Sequence, residues 1–314
     1  MFNEKVFHPV RIIAMHECPH LDEVAAYLLL CCFGGELFPG IEVADVVFWP
    51  YGGETPDGKS AEDWLERGVL ILGQGFGMFD EHPCPELGIS RKAGHSTVSL
   101  VAQYLEVHPK SPEGRASAWL AKQVTECDLN GGNGVLGIES VMSTMSRRGR
   151  SSDEILQYGL HSLTCFLEDQ IEFQKVRDWA HPSRRNVHYS IVDRWTLATA
   201  VSTSEHILKA VRTHGAHLSV RLDSKTHHVT IMSDHQAGLQ LGDLVSELRR
   251  FSGYGYLPKG ASPDAEGRLH DWFYHPSIGL ITTGGGRGSR QTTPPRLTWS
   301  KIVATVEWWL EHRA

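Results

Sequence analysis

The sequence has no CxxC pair and no GxSxG. A serine-hydrolase nucleophile elbow is thereby excluded. Six cysteines stand at 18, 31, 32, 84, 127 and 165, in apolar or loop contexts. They form no disulfide framework and suit a reducing, cytoplasmic setting. The opening MFNEKVFHPVRIIAM has no apolar h-region and no small-residue cleavage site. The longest apolar run, near residues 25–33, is too short to span a bilayer, so no membrane partner is expected. There is no internal repeat and no long disordered tract. Positive charge is in short supply, with 30 Lys and Arg against 37 Asp and Glu, for a net charge of −7. That balance argues against bulk coating of long nucleic acid. It leaves room for a local basic groove, or for a metal that brings its own charge.

What is present is an ordinary globular composition, 41% apolar and 21% charged over 314 residues, enough for two domains. Residues 10–15 (VRIIAM) predict a buried strand, 21–33 a helix, 41–48 a second strand, 61–67 a helix and 68–72 (GVLIL) a third strand. In the first helix, Asp22 and Glu23 occupy the turn where negative charge suits the dipole. The alternation predicts an α/β domain over residues 1–150, a parallel sheet with helices on both faces. Helices are expected at 94–105 and 116–127, and a Gly-, Ser- and Arg-rich loop at 129–150. Residues 151–185 predict a connecting helix, with a bend near Gly159 and a break at HPSRRN (181–186). Residues 186–314 predict a smaller α+β domain. Its strands lie near 189–192, 196–201, 218–222 and 228–232, its helices near 204–214, 239–251 and 298–312.

Eighteen histidines make position decisive. The segment His16-Glu17-Cys18-Pro19-His20-Leu21-Asp22 lies between the first strand and its helix, where open parallel sheets form their ligand crevice. Two imidazoles and a carboxylate within seven residues can converge on one divalent ion; the alternative is a solvated loop. Asp80-Glu81-His82-Pro83 follows the third strand and suits a metal or a phosphate, against a plain polar turn. Asp128, before Asn130-Gly131, reads alone as a helix cap or turn residue. The turn Gly73-Gln74-Gly75-Phe76-Gly77 looks like a nucleotide loop, but its third glycine is early and Pro83 blocks a following helix, so a dinucleotide site is not expected.

Taken together these clusters resemble the DHH phosphoesterase superfamily, and within it the melanocyte-proliferating-gene (MYG-type) exonuclease branch. His16-x3-His20-x-Asp22 is similar to the first motif, and HLDEVAAYLLL to that branch's version of it. Asp80-Glu81-His82 stands where the superfamily has Asp-His-His. GHSTVSLVAQYL, which opens on Gly94-His95, is similar to the branch's small-residue helix, and Asp128-Leu129-Asn130-Gly131 to its Asp-x-Asp-Asn-Gly segment. The likeness covers residues 10–131 in order and continues more weakly to Gly284-Gly285-Gly286. It implies a DHH-like metal-binding domain and a C-terminal substrate-binding domain. The implied activity is a metal-dependent phosphodiesterase or exonuclease acting on a phosphate-containing small molecule or short nucleic acid. The implied ligands of Mn²⁺ or Mg²⁺, with Zn²⁺ left open, are His16, His20, Asp22, Glu81 and Asp128. Asp80 and His82 take the catalytic roles, and His95, Gly284, Gly285, Gly286, Arg287 and Arg290 would bind substrate. A homodimer is left open. Three departures stand out. The third strand ends Leu72-Gly73-Gln74 where the superfamily has a metal-bridging aspartate, Glu81 replaces the central histidine, and Arg287 follows the glycines where a histidine is usual. A degenerate member that binds nucleotide or phosphate without turnover is the alternative.

Overall fold

The computed structural model describes residues 7–50, 55–83, 94–106, 110–130, 137–254, 272–283 and 295–313. The protein is mixed α/β, with a parallel three-stranded sheet, a separate mixed sheet and packed helices. It divides into two compact units, residues 1–171 and 172–314. Among the described residues no helix is long and apolar enough to cross a membrane.

In the first unit, β1 (Ile12–His16), α1 (Leu21–Phe33), β2 (Asp45–Trp49), α2 (Ala61–Glu66) and β3 (Val69–Ile71) alternate along the chain. The strands pair in parallel in the order β2-β1-β3, so β1 is central. Ile13, Ala14 and Met15 are accordingly buried, as a strand covered by its neighbours and by helices requires. Residues 41–43, expected as strand, form a 3₁₀ turn (Ile41–Val43), and β2 starts only at Asp45. Gly40, at φ +93°, sets that turn.

Helix α1 is buried on most of its surface, with Val24, Ala25, Ala26, Leu29 and Leu30 fully inside. A helix apolar nearly all round belongs in the middle of a core. It packs against α3 (Thr97–Leu105), α4 (Pro112–Leu129) and α5 (Ile138–Arg147). Burying each such leucine contributes about 1.5–3 kcal/mol. Helix α5 corrects the expectation of a loop over 129–150. Its small polar residues weaken the apolar signal, yet Ile138 and Met142, one turn apart, anchor it in the core. Helix α6 (Ser152–Trp179) runs unbroken through Gly159, and within it the chain passes from the first unit to the second. A Cβ at Gly159 would lie 3.0 Å from Val24 Cγ1 and 3.2 Å from Met142 Sδ, so a bare backbone lets α1 and α5 approach.

The second unit holds β4 (His188–Val192), β5 (Trp195–Val201), α7 (Ile207–Thr213), β6 (Leu218–Leu222), β7 (Val229–Ser233), α8 (Gly242–Arg249), β8 (Trp272–His275), β9 (Leu280–Thr283) and α9 (Trp299–Glu311). Its sheet order is β4-β5-β6-β7-β9-β8, antiparallel except between β5 and β6, which α7 connects. Leu197, Leu218, Val220, Ile231 and Ile281 pack with Leu244 and Leu248 of α8 and with Ile302, Val306 and Trp309 of α9. The hairpin β8–β9 was not expected. Its strands have four residues each, too short for a pattern, and Pro276 and Gly279 shape the turn between them. Trp272 of β8 is fully buried and donates from Nε1 to Ser252 Oγ at 2.9 Å, so it is a core residue.

Candidate metal centre

Strands β1 and β3 are neighbours and parallel, so the loops after them leave the same end of the sheet. The first loop is held by a carboxylate that the sequence suggested only as a dipole partner. Glu23, 1% exposed, accepts from His16 N–H at 3.0 Å and from His20 N–H at 2.8 Å, and its Oε1 lies 3.1 Å from His16 Nδ1. Reaching back from the third helical position to the residue before the helix is one half of a capping box. Here it also binds the strand end, so loop, strand and helix share one buried anion. Leu21 N–H donates to Glu139 Oε2 of α5 at 3.0 Å, and Cys18 N–H to Ser152 Oγ at 3.1 Å.

The loop after β3 is built around Asp80. Its Oδ2 accepts from Phe76 N–H at 2.7 Å, while Oδ1 accepts from His82 N–H at 2.9 Å and meets His82 Nδ1 at 2.8 Å. Burial would raise the Asp80 carboxyl, but these hydrogen bonds outweigh it and hold it below its ordinary range. The same Asp80 bond, opposed by burial and aided by Glu81, pushes the His82 imidazole up to about 9. The glycine-rich turn therefore closes on Asp80 and opens no helix.

Three acids from distant parts of the chain meet above these loops. Asp22 of α1, Glu81 after β3 and Asp128 in the last turn of α4 each place one oxygen within 4.8 Å of the others. Asp22 and Glu81 are 5% and 4% exposed, and Asp128 is the most open of the three. Thr97, fully buried at the start of α3, joins two of them. Its N–H donates to Asp22 Oδ2 at 3.1 Å and its hydroxyl to Glu81 Oε2 at 3.0 Å. Burial, then the charges of Glu23, Asp128 and Glu81, push the Asp22 carboxyl well above its usual range, and burial pushes Glu81 up. Clustered buried carboxylates that repel one another are the arrangement a cation relieves. The donor set is all oxygen, which fits a hard divalent ion. A second group, Asp80 with Glu81 and His82, shares Glu81. Its Asp80 and His82 are already bonded to each other.

No family model matches the chain, and no curated protein matches it.

The other residues singled out from the sequence fall as follows. The imidazoles of His16 and His20 lie outside both acid groups, 6.0 Å apart by ring centroids, with His16 turned to Glu23. His95, just before α3, bonds through Nδ1 with Ser99 Oγ at 3.2 Å and is also outside these groups. Gly284, Gly285, Gly286, Arg287 and Arg290 lie outside the described residues. Sequence reasoning passed over Thr97 and Glu139 altogether. The reach-back spacing from His20 to Glu23 was the available signal for Glu23.

The bare backbone just after β3 has a steric cause. Gly73 follows β3 at φ +65°, and a Cβ there would sit 2.9 Å from Glu23 Cγ and 3.1 Å from Thr97 Oγ1. Glu23 and Thr97 thus occupy the space that a side chain at 73 would need. Gly73→Ala is expected to destabilise the protein by about 2 kcal/mol, from the left-handed backbone together with the contact. The shift in urea midpoint at unchanged m-value measures it.

Proposed function

We propose that residues 1–150 form a DHH-like metal-binding domain and that the protein is a Mn²⁺- or Mg²⁺-dependent phosphoesterase. The substrates fitting this reading are nucleotides or short nucleic acid, cut at a phosphodiester. The observation that carries it is the meeting of Asp22, Glu81 and Asp128 from α1, the loop after β3 and α4. These three would hold the cation, and the all-oxygen set favours Mn²⁺ or Mg²⁺ over Zn²⁺. When bound, such an ion lowers the pKa of a coordinated water and neutralises charge on the phosphoryl oxygens.

The chain's own residues supply the remainder. Thr97 orients Asp22 and Glu81 through its N–H and its hydroxyl. Asp80 fixes His82 through Nδ1 and keeps it protonated, so His82 Nε2 is the atom to offer a proton to the leaving oxygen. Asp80 acts by positioning His82, as carboxylates behind a working histidine do.

A second reading, binding of a nucleotide or phosphate without turnover, is favoured by Gly73-Gln74 standing where a bridging carboxylate would be. One assay set separates the two. Metal-depleted protein is supplied with Mn²⁺ and given bis(p-nitrophenyl) phosphate and short oligonucleotides. Hydrolysis that EDTA abolishes and Mn²⁺ restores is the expected result. Mn²⁺-dependent nucleotide binding without product would move the conclusion to the second reading, and the absence of both would overturn each.

A further inference from the structure

Two of the three carboxylates, Asp22 and Asp128, open onto a cleft of about 360 Å³, within the size range of small-molecule sites. Asp22 of α1 and Asp128 of α4 line it, and so do Ser140, Ser143, Thr144 and Arg147 of α5. The spacing 140, 143, 144, 147 is that of one helix face. On the opposite flank of α5, Ile138 and Met142 are buried in the core. Glu139 ties the start of the helix to Leu21 N–H, one residue from Asp22. The α5 face is therefore built into the site by core packing and by a bond to the helix that carries Asp22.

This face differs in chemistry from the acids it shares the cleft with. It carries three hydroxyls and a guanidinium, and Arg147 is the one arginine among the described lining residues. Thr144 donates its hydroxyl to Ser140 C=O at 2.8 Å and accepts from Arg147 Nη2 at 2.9 Å, so the guanidinium is held along the face. A cation in the last turn also suits the helix dipole. The dipole alone would accept any direction around the axis, whereas the Thr144 bond selects the cleft.

A ligand that fills this cleft must satisfy carboxylates, which call for a cation, and hydroxyls with a guanidinium, which call for an anion. A divalent ion with a phosphoryl group on it satisfies both, and a tetrahedral oxyanion has oxygens enough for each side. We infer that the Ser140–Ser143–Thr144–Arg147 face of α5 is the phosphoryl-binding wall of the site. The inference rests on the metal reading above and adds to it where the phosphate sits. Without the cation, Asp22 and Asp128 repel an anion, so phosphate binding at this wall is metal-dependent.

Calorimetric titrations test this on the full chain. MnCl₂ alone is titrated first, then inorganic phosphate into Mn²⁺-saturated protein. The variants are Arg147→Ala, Arg147→Lys, Ser143→Ala and, as a control for bulk charge, Arg148→Ala. The expected result is Mn²⁺ affinity kept or tightened in Arg147→Ala, since a cation leaves the cleft, and phosphate affinity lowered about ten-fold. Arg147→Lys should recover part of that loss, Ser143→Ala should lose less, and Arg148→Ala should stay near wild type. Mn²⁺ binding with unchanged phosphate affinity in Arg147→Ala and Ser143→Ala overturns the wall and leaves the metal reading standing. An equal loss in Arg148→Ala also overturns it, because surface charge alone would then suffice. No binding of Mn²⁺ overturns both readings.

Discussion

Asp22→Asn is expected to change two observables in opposite directions. It should remove Mn²⁺ binding and hydrolysis, while leaving the metal-free protein as stable as the parent or more so. The substitution deletes a charge that is 5% exposed and lies among Glu23, Glu81 and Asp128. The amide oxygen can still accept from Thr97 N–H, so the local fold keeps its hydrogen bond. Relief of buried repulsion then contributes about 1 kcal/mol or more to the metal-free state. Loss of the ligand removes several kcal/mol of metal-derived stabilisation, which at ~1.4 kcal/mol per factor of ten is about 10³ in rate. Thermal melts with and without Mn²⁺ give the first measurement. A ligand at 100 times its Kd stabilises the parent by about 2.7 kcal/mol, and that increment should vanish in the variant. If Mn²⁺ stabilises Asp22→Asn as much as the parent, Asp22 is not a ligand.

Glu23→Ala has the largest expected cost to folding. The Glu23 carboxylate accepts from two backbone N–H groups and contacts the His16 ring, at 1% exposure. Truncation leaves these donors without their acceptor at the junction of β1 and α1. An unsatisfied buried donor costs about 1–3 kcal/mol, so the total should be about 3–4 kcal/mol after partial rescue by water. Urea unfolding measures it. Glu23→Gln should be milder, because one amide oxygen can serve one of the two backbone donors, but its NH₂ then faces the other. The contrast with Asp22→Asn is informative, since the two acids are adjacent in sequence. One is expected to weaken folding when neutralised and the other to strengthen the metal-free fold. A Glu23→Ala protein as stable as the parent would show that the loop is held by other contacts.

Legibility varied with the range of the forces involved. Helix α1 shows in the sequence with both its ends, Leu21 and Phe33, because its apolar spacing, acidic first turn and Gly34 all act locally. The parallel character of the first sheet shows in the alternation of strand and helix. Helix α5 does not show, because its polar face is as prominent as its buried one. Hairpin β8–β9 does not show, because four residues carry little periodicity. At the site, Asp22, Glu81 and Asp128 stand out as acids at strand and helix ends. Whether an acid faces a ligand or a backbone donor depends on neighbours far away in the chain.

The sequence by itself determined that strands and helices alternate in the first unit and where its first helix lies, and that acids and histidines follow the strand ends. Those features come from side-chain spacing and turn chemistry within a few residues. Only the tertiary structure decided that Glu23 is spent on holding His16 and His20, that Thr97 couples Asp22 to Glu81, and that α5 faces the acids with hydroxyls and Arg147. The physical reason is that hydrogen bonds and Coulomb terms act over a few ångströms. Which groups come that close is set by how the helices pack.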